Sequence, residues 1–451
     1  DIQIDSTKQL RIEPGVEVRF KGNYKLTVFG RLLVEGTITD SVKFTAADTS
    51  NGWAGIRFID TDNNFLDSSK IMYASFSHSK KIAGSDEEKS GGAISIINSS
   101  KIDINNSFFY KNQSAANYPF GGGAIYVANS FPIIKYCSFL KNTAVHGNGG
   151  AMLITNSGVN LRNSSFINNN AFGTGGALCF NKNNGNLVRY LNIKGNHAGL
   201  GGGIGLVNSN SQTEIIDISL VDLVENIAAT RGGGIYNEIT LNPNLPLRNI
   251  KISNNIALGN GSAVASIEDC YFQNCIIDHN NGGTSTFPVS PFFFEEGINV
   301  NFINCVIADN KGEKLIRILG EYGDFFGLNI INSIIWHNEG GISVPDGVNS
   351  AFASYSTIQY PWDNFDFGSG VNHTAPEFRN HLTGDYHLSV QSPAIDKGSP
   401  EQIFNDYVLA NLAGLGTVRN DMGAYGGQLN SWRDTPIANF KANIVHGEAP
   451  L

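Results

Sequence analysis

Three stretches of the chain combine aromatic faces with carboxylates: NGGTSTFPVSPFFFEEG, with Phe292, Phe294 and Glu296; KGEKLIRILGEYGDFFG, with Glu321, Asp324 and Phe325; and PWDNFDFGSG, with Trp362, Asp363 and Asp366. Flat rings offer apolar area to sugar C–H groups and carboxylates accept hydrogen bonds from hydroxyls, so these nine residues suit a saccharide ligand. Two carboxyl groups held about 5 to 9.5 Å apart would also serve as acid and base or nucleophile on a glycosidic bond. A lyase would need a base beside a uronate and cations to neutralise its carboxylate, and Lys311, Lys314 and Arg317 lie in the second stretch. The same rings would equally close over an apolar core as a lid. The residues alone leave both readings open.

A second group is His279, Asp309 and His337, each one residue before a recurring asparagine. A His-Asp-His row could hold a transition metal or relay a proton. Elsewhere the same position is filled by Lys111, Lys141, Asn168, Gly195, Glu225 and Asn254, the profile of an exposed site, so the row is expected on the surface and no metal is assigned to it. No Ser-His-Asp order, phosphate loop, HExxH or CxxC pair is present. Calcium is compatible with the carboxylates, but no motif indicates any cofactor.

What positions these residues is a repeat. Glycine pairs begin GGAIS at 91, GGAIY at 122, GGAML at 149, GGALC at 175, GGGIG at 201 and GGGIY at 232, with GSAVA at 261, so the spacing is 26 to 31 residues. A second signature, an apolar residue three before an asparagine, recurs at Asn112, Asn142, Asn169, Asn196, Asn226, Asn255, Asn280, Asn310 and Asn338. Short β-branched and aromatic runs broken by Gly and Asn exclude paired helices. They predict an all-β fold, a parallel β-helix in which each period is one coil and equivalent residues stack about 4.8 Å apart. Phe109, Phe139, Phe166, Ile193, Leu223, Ile252, Ile277, Ile307 and Ile335 then form an interior column. The asparagines form a ladder at a bend, with their own torsions expected to be left-handed, and the glycines turn tight corners. Cys137, Cys275 and Cys305 share one small, buried position in their coils.

Composition narrows the partners. The 451 residues include 51 Gly and 28 Phe, 41 % are hydrophobic, and the formal charge is −9 with no basic run, which argues against nucleic acid or an anionic membrane surface. An acidic polymer could bind only through a local basic patch. No stretch is long and apolar enough for a membrane-spanning helix, so direct membrane insertion is not expected. The five cysteines form no dense disulfide framework. DIQIDSTKQL lacks the features of a signal peptide, so the chain is expected to be cytoplasmic or already trimmed.

The pairing of GGA-Ile/Leu/Met with FxxN over residues 91–270 resembles the repeat of the polymorphic outer membrane proteins, whose passenger is a right-handed β-helix. LRIEPGVEVRF, LTVFGRLLVEGT and VKFTAADTSNGWAGIRF near the start, with SPAIDKGSP and VRNDMGAYGG near the end, are similar to secreted bacterial β-helix proteins of the pectate-lyase-like superfamily. TPIANFKANIVHGEAPL resembles the first strand of a PKD-type β-sandwich, which implies further C-terminal modules. These resemblances divide the chain into an N-terminal cap and first coils (1–70), β-helix repeats (71–360), C-terminal coils and cap (361–430) and a linker with the start of a PKD-like module (431–451). They imply an extracellular or outer cell-surface protein. Two functions follow as expectations: a rigid adhesive or glycan-binding scaffold for a polysaccharide or cell-surface glycan, or a polysaccharide lyase or glycoside hydrolase. Whether the chain is an enzyme stays open.

Overall fold

Successive coils stack through parallel strands in the register that the repeat predicts. The structure is a computed structural model describing residues 1–432 apart from 63–66, 208–214, 283–288, 296, 320–326, 344–349, 361, 363–364 and 407–414. Ile94 pairs with Ile125, then Met152, Leu178, Ile204 and Ile235, one coil after another. About 11 turns build the parallel solenoid.

A coil runs through three strands and their corners, and in eight of the coils a further short strand, such as Thr143–Asn148 after Asn142, joins the ladder residue to the next coil in a separate eight-stranded parallel sheet. In one of them Ile125–Ala128 follows the glycine pair, Ile133–Lys135 follows a corner at Asn129, and Ser138–Leu140 follows a corner at Tyr136. Each corner residue takes a positive φ, between 48° and 56° at Asn129, Tyr136 and Lys141. The ladder asparagine itself does not, and this corrects the expected torsion. The left-handed residue is the one before it, Lys111, Lys141, Asn168, Glu225, Asn254, His279, Asp309 or His337, and its turn aims the next side chain inward.

Inside, equivalent rings stack. Phe44, Phe76, Phe109, Phe139 and Phe166 lie nearly parallel with centroids 4.6 to 4.9 Å apart, and all are fully buried. The column therefore starts two coils earlier than FxxN indicates, because FSHS at 76–79 carries Ser79 in the asparagine's place; Ser79 Oγ donates to Asn112 Oδ1. From Asn112 to Asn338 each amide donates to the next Oδ1 at 2.9 to 3.0 Å. At the next corner, past Thr143–Asn148, Gly149 has φ 65°, and a Cβ on Gly150 would stand 2.0 Å from the carbonyl oxygen of Gly176, so neither position admits a side chain.

All five cysteines are buried free thiols. Burial pushes Cys137 and Cys270 up to about 12, so no thiolate forms near neutrality. We expect no cysteine to react with a maleimide in the native state and all five to react in denaturant, counted by intact mass. A thiol labelled under native conditions would contradict the buried positions.

The C-terminal segment returns along the outside of the coils. Phe378–Asn380 and Asp385–Leu388 form an antiparallel pair, and Tyr386, Leu388, Ala394, Met422 and Ala424 pack on the outward faces of Ile276, Val306, Ile334 and Trp336. Beyond it the segment is held by a row of corner asparagines. Asn249 donates to Leu429 O, Asn274 to Ala424 O and Asn304 to Asn420, while Asn332 accepts from Ser399 N. Of the linker and PKD-like start expected over 431–451, residues 433–451 lie outside the described residues.

Candidate functional site

Among the described residues, the aromatic and acidic side chains singled out in the sequence do not gather on one shelf. Phe292 and Phe294 are fully buried: Phe292 pairs with Val264, so SPF continues the column of GSAVA, and its ring packs edge-on against Phe302. This corrects the expectation that they offer faces to a ligand; strand alternation turns both rings inward. Trp362 is half-buried against Phe365 at the end of the core, which is the lid arrangement, and Asp366 is exposed. Glu296, Glu321, Asp324, Phe325 and Asp363 lie outside the described residues.

A different set of residues is ordered on the outer face. The corner occupied by Tyr136 is one column, Tyr73, Asn106, Tyr136, Asn163, Tyr190 and Leu220, each one coil above the last and all at φ 47° to 58°. The C-terminal segment covers its continuation from Asn249 onward but leaves this part open. Tyrosine occupies every second coil, so the rings recur at about 9.6 Å along the axis. A left-handed torsion is cheap for Asn and costs a bulky residue about 1 kcal/mol or more, which makes tyrosine at three such corners an outlier worth a functional account.

Beside the tyrosines runs a basic column. Lys135, Arg162 and Arg189 stack on successive coils, each one residue before the corner. Arg189 is tied to Asp217, which also meets Arg248 at 3.4 Å. Lys135 and Arg162 have no ion-pair partner among the described residues. On the far side of the corner Phe108 and Tyr110 stack at 5.9 Å, and the Lys111 ammonium stands 5.0 Å from the Tyr110 ring. This is a local basic, aromatic patch on a chain of net charge −9. The column was legible in the sequence once the coils were in register, but its residues lie in none of the insertions that drew attention.

Two open hollows lie elsewhere among the described residues. One of about 370 Å³ is lined by Gln3, Asp5, Ser6, Phe29 and Asp60 near the first coil. The other, about 200 Å³, is bordered by Tyr271, Gln273 and Asn301 and continues the line of the basic column, since Gln273 pairs with Arg248. The first has two carboxylates in its lining, Asp5 and Asp60, and the second has none.

The His279, Asp309 and His337 row is not the bare surface expected. The C-terminal hairpin brings His381 and Tyr386 over it, leaving the Asp309 side chain 14 % exposed. Tyr386 Oη donates to Asp309 Oδ2 at 2.9 Å and lies 3.4 Å from Asp278 and from His279. Burial, then the facing Asp278 and Asp309, push its pKa up, so it remains a donor. His279 pairs with Asp278 at 2.9 Å, and that hydrogen bond raises its pKa. Asp309, His337 and His381 offer ligand atoms within 4.8 Å of one another, the group among the described residues with the donors to hold a metal. The row was visible in the sequence; the hairpin residues were not, because a contact across 72 positions leaves no local trace.

In comparison with known proteins, a family model described as a right handed beta helix region matches residues 34–220, in agreement with the stacked coils. A comparison with curated proteins gives no match.

Proposed function

We propose that this right-handed β-helix is a rigid glycan-binding scaffold that works outside the cell, with an acidic polysaccharide lying along the Tyr73–Tyr190 corner. The observation that carries this reading is the alternation of tyrosine on every second coil beside Lys135, Arg162 and Arg189. Two coils span about 9.6 Å, close to the length of a disaccharide, so a linear polymer with a two-sugar repeat meets a ring at each repeat. The cations answer uronate or sulfate groups, and Asn106 and Asn163 between the rings answer hydroxyls. The solenoid supplies stiffness, so the ligand finds its contacts pre-arranged and little ordering entropy is lost.

The test is binding to immobilised uronate, sulfated and neutral polysaccharides with a parallel assay for new reducing ends and unsaturated products. The expected result is salt-sensitive binding to an acidic polymer, weakened at least about 10-fold by Tyr136→Ala or Arg162→Ala. Tyr360→Ala, at an exposed tyrosine elsewhere, should bind as the parent does. Equal binding by all variants would remove the ridge as the site, and polymer cleavage would replace the scaffold with an enzyme.

A further inference from the structure

We propose that Asp309, His337 and His381 form a zinc site that clips the C-terminal hairpin to the β-helix. The three donor atoms make a closed triangle: His381 Nδ1 to Asp309 Oδ1 is 3.1 Å, His337 Nδ1 to Asp309 Oδ1 is 3.7 Å, and His337 Nδ1 to His381 Nδ1 is 3.3 Å. Zinc bonds of about 2.0–2.2 Å at tetrahedral angles require ligand edges of about 3.3–3.5 Å, and the three edges bracket that value. One carboxylate with two imidazoles is a donor set that suits zinc better than calcium or magnesium.

The Nδ1 of a neutral imidazole carries, in the ring plane, either one hydrogen or one lone pair. A proton serves the triangle only as a shared one, with His381 Nδ1–H divided between Asp309 and the lone pair of His337 Nδ1, and the 3.7 Å edge is too long for a hydrogen bond. A cation at the centre takes a lone pair from all three.

The surroundings are those of a built site. Asp309 and His337 occupy left-handed corners of adjacent coils, with φ 55° and 56°, so both side chains leave the same edge. The His337 backbone N–H is anchored to Gln359 Oε1 at 2.6 Å. His381 stands on the hairpin's turn, His381–Thr383, closed by Gly384 at φ 74°. Tyr386 fixes the other oxygen of Asp309 from outside the triangle, the usual role of an outer-shell donor. The partial exposure of His337 leaves a fourth position open to water. The proposal is independent of the glycan reading, since the two surfaces share no residue.

The test takes the full chain, stripped with a chelator, and titrates it with Zn²⁺ and separately with Co²⁺. One zinc per chain is expected with submicromolar affinity, a higher melting temperature, and for cobalt the intense visible bands of a four-coordinate centre. His337→Gln and His381→Gln should each weaken binding at least about 100-fold, and Tyr386→Phe roughly 10-fold. His146→Ala, an imidazole on another coil, should change nothing. If His381→Gln fails to fold, His337→Gln, at a more exposed side chain, decides. Absence of stoichiometric zinc, a six-coordinate cobalt spectrum, or unchanged binding by His337→Gln would overturn the site.

Discussion

Asn169→Ala is expected to cost about 3–6 kcal/mol, more than any exposed substitution on the same coil. The Asn169 amide makes four hydrogen bonds with full burial: Nδ2 donates to Phe139 O and to Asn196 Oδ1, and Oδ1 accepts from Asn142 N and Asn142 Nδ2, all at 2.9 to 3.0 Å. That is the whole capacity of a carboxamide. Alanine would strand the Asn142 backbone N–H and one amide hydrogen of Asn142, two buried donors at roughly 1–3 kcal/mol each, and would take one accepted hydrogen bond from the Phe139 carbonyl, with some relaxation between coils. Asn196 Oδ1 would keep its bond from the Asn169 backbone N–H. The measurement is hydrogen exchange together with the denaturation midpoint, because a solenoid loses stability locally, between neighbouring coils. Protection should fall across the coils on either side of Asn169. Asn168→Gly, at the exposed left-handed corner one residue earlier, should be nearly neutral. A loss no larger than that of Asn168→Gly would mean that the ladder stabilises nothing.

The same ladder explains which parts of the fold were legible. In a parallel β-helix a position is read again about every 28 residues, so Asn, Phe and Gly columns show up as a period even without knowledge of three-dimensional contacts. Where the signature decays the reading fails for a physical reason. SPFFF at 290–294 has lost its glycine pair and looks like an insertion, yet it keeps the register, with Phe292 on Val264 and Ile316 on Phe292. Spacing carried the information that residue type did not. The tyrosine corner was missed differently: Tyr73, Tyr136 and Tyr190 alternate with asparagine, so only a two-coil period reveals them. The hairpin that closes over Asp309 was beyond reach, because its pairing with the coils depends on long-range packing of Tyr386 and Leu388 against Ile276 and Trp336.

The C-terminal cap should open more readily as pH rises from about 4 to about 7, and Asp406 is the group that sets this. Asp406 accepts from the backbone N–H groups of Gly427 and Asp421, joining the turn of residues 420–427 to the rest of the cap. Burial, and then the charge of Asp421, push its pKa up to about 7, while Asp421, also through burial, rises to about 6. An unfolded aspartate titrates near 3.9, so between about pH 4 and 7 the folded cap holds a proton that the opened chain releases. Stability is therefore greatest below about pH 4 and is lost as pH rises through the folded pKa, by an amount on the order of a few kcal/mol for local opening. A cleavage or exchange assay confined to residues 415–432 at several pH values reads the opening directly. Asp406→Asn removes the titration, loses one accepted hydrogen bond, and should leave a cap weaker at pH 5 but with a flatter pH profile. An unchanged profile in that variant would assign the dependence to other groups. The coils themselves should not follow the trend, since the ladder that joins them is made of neutral amides and apolar columns, with no carboxylate among its members.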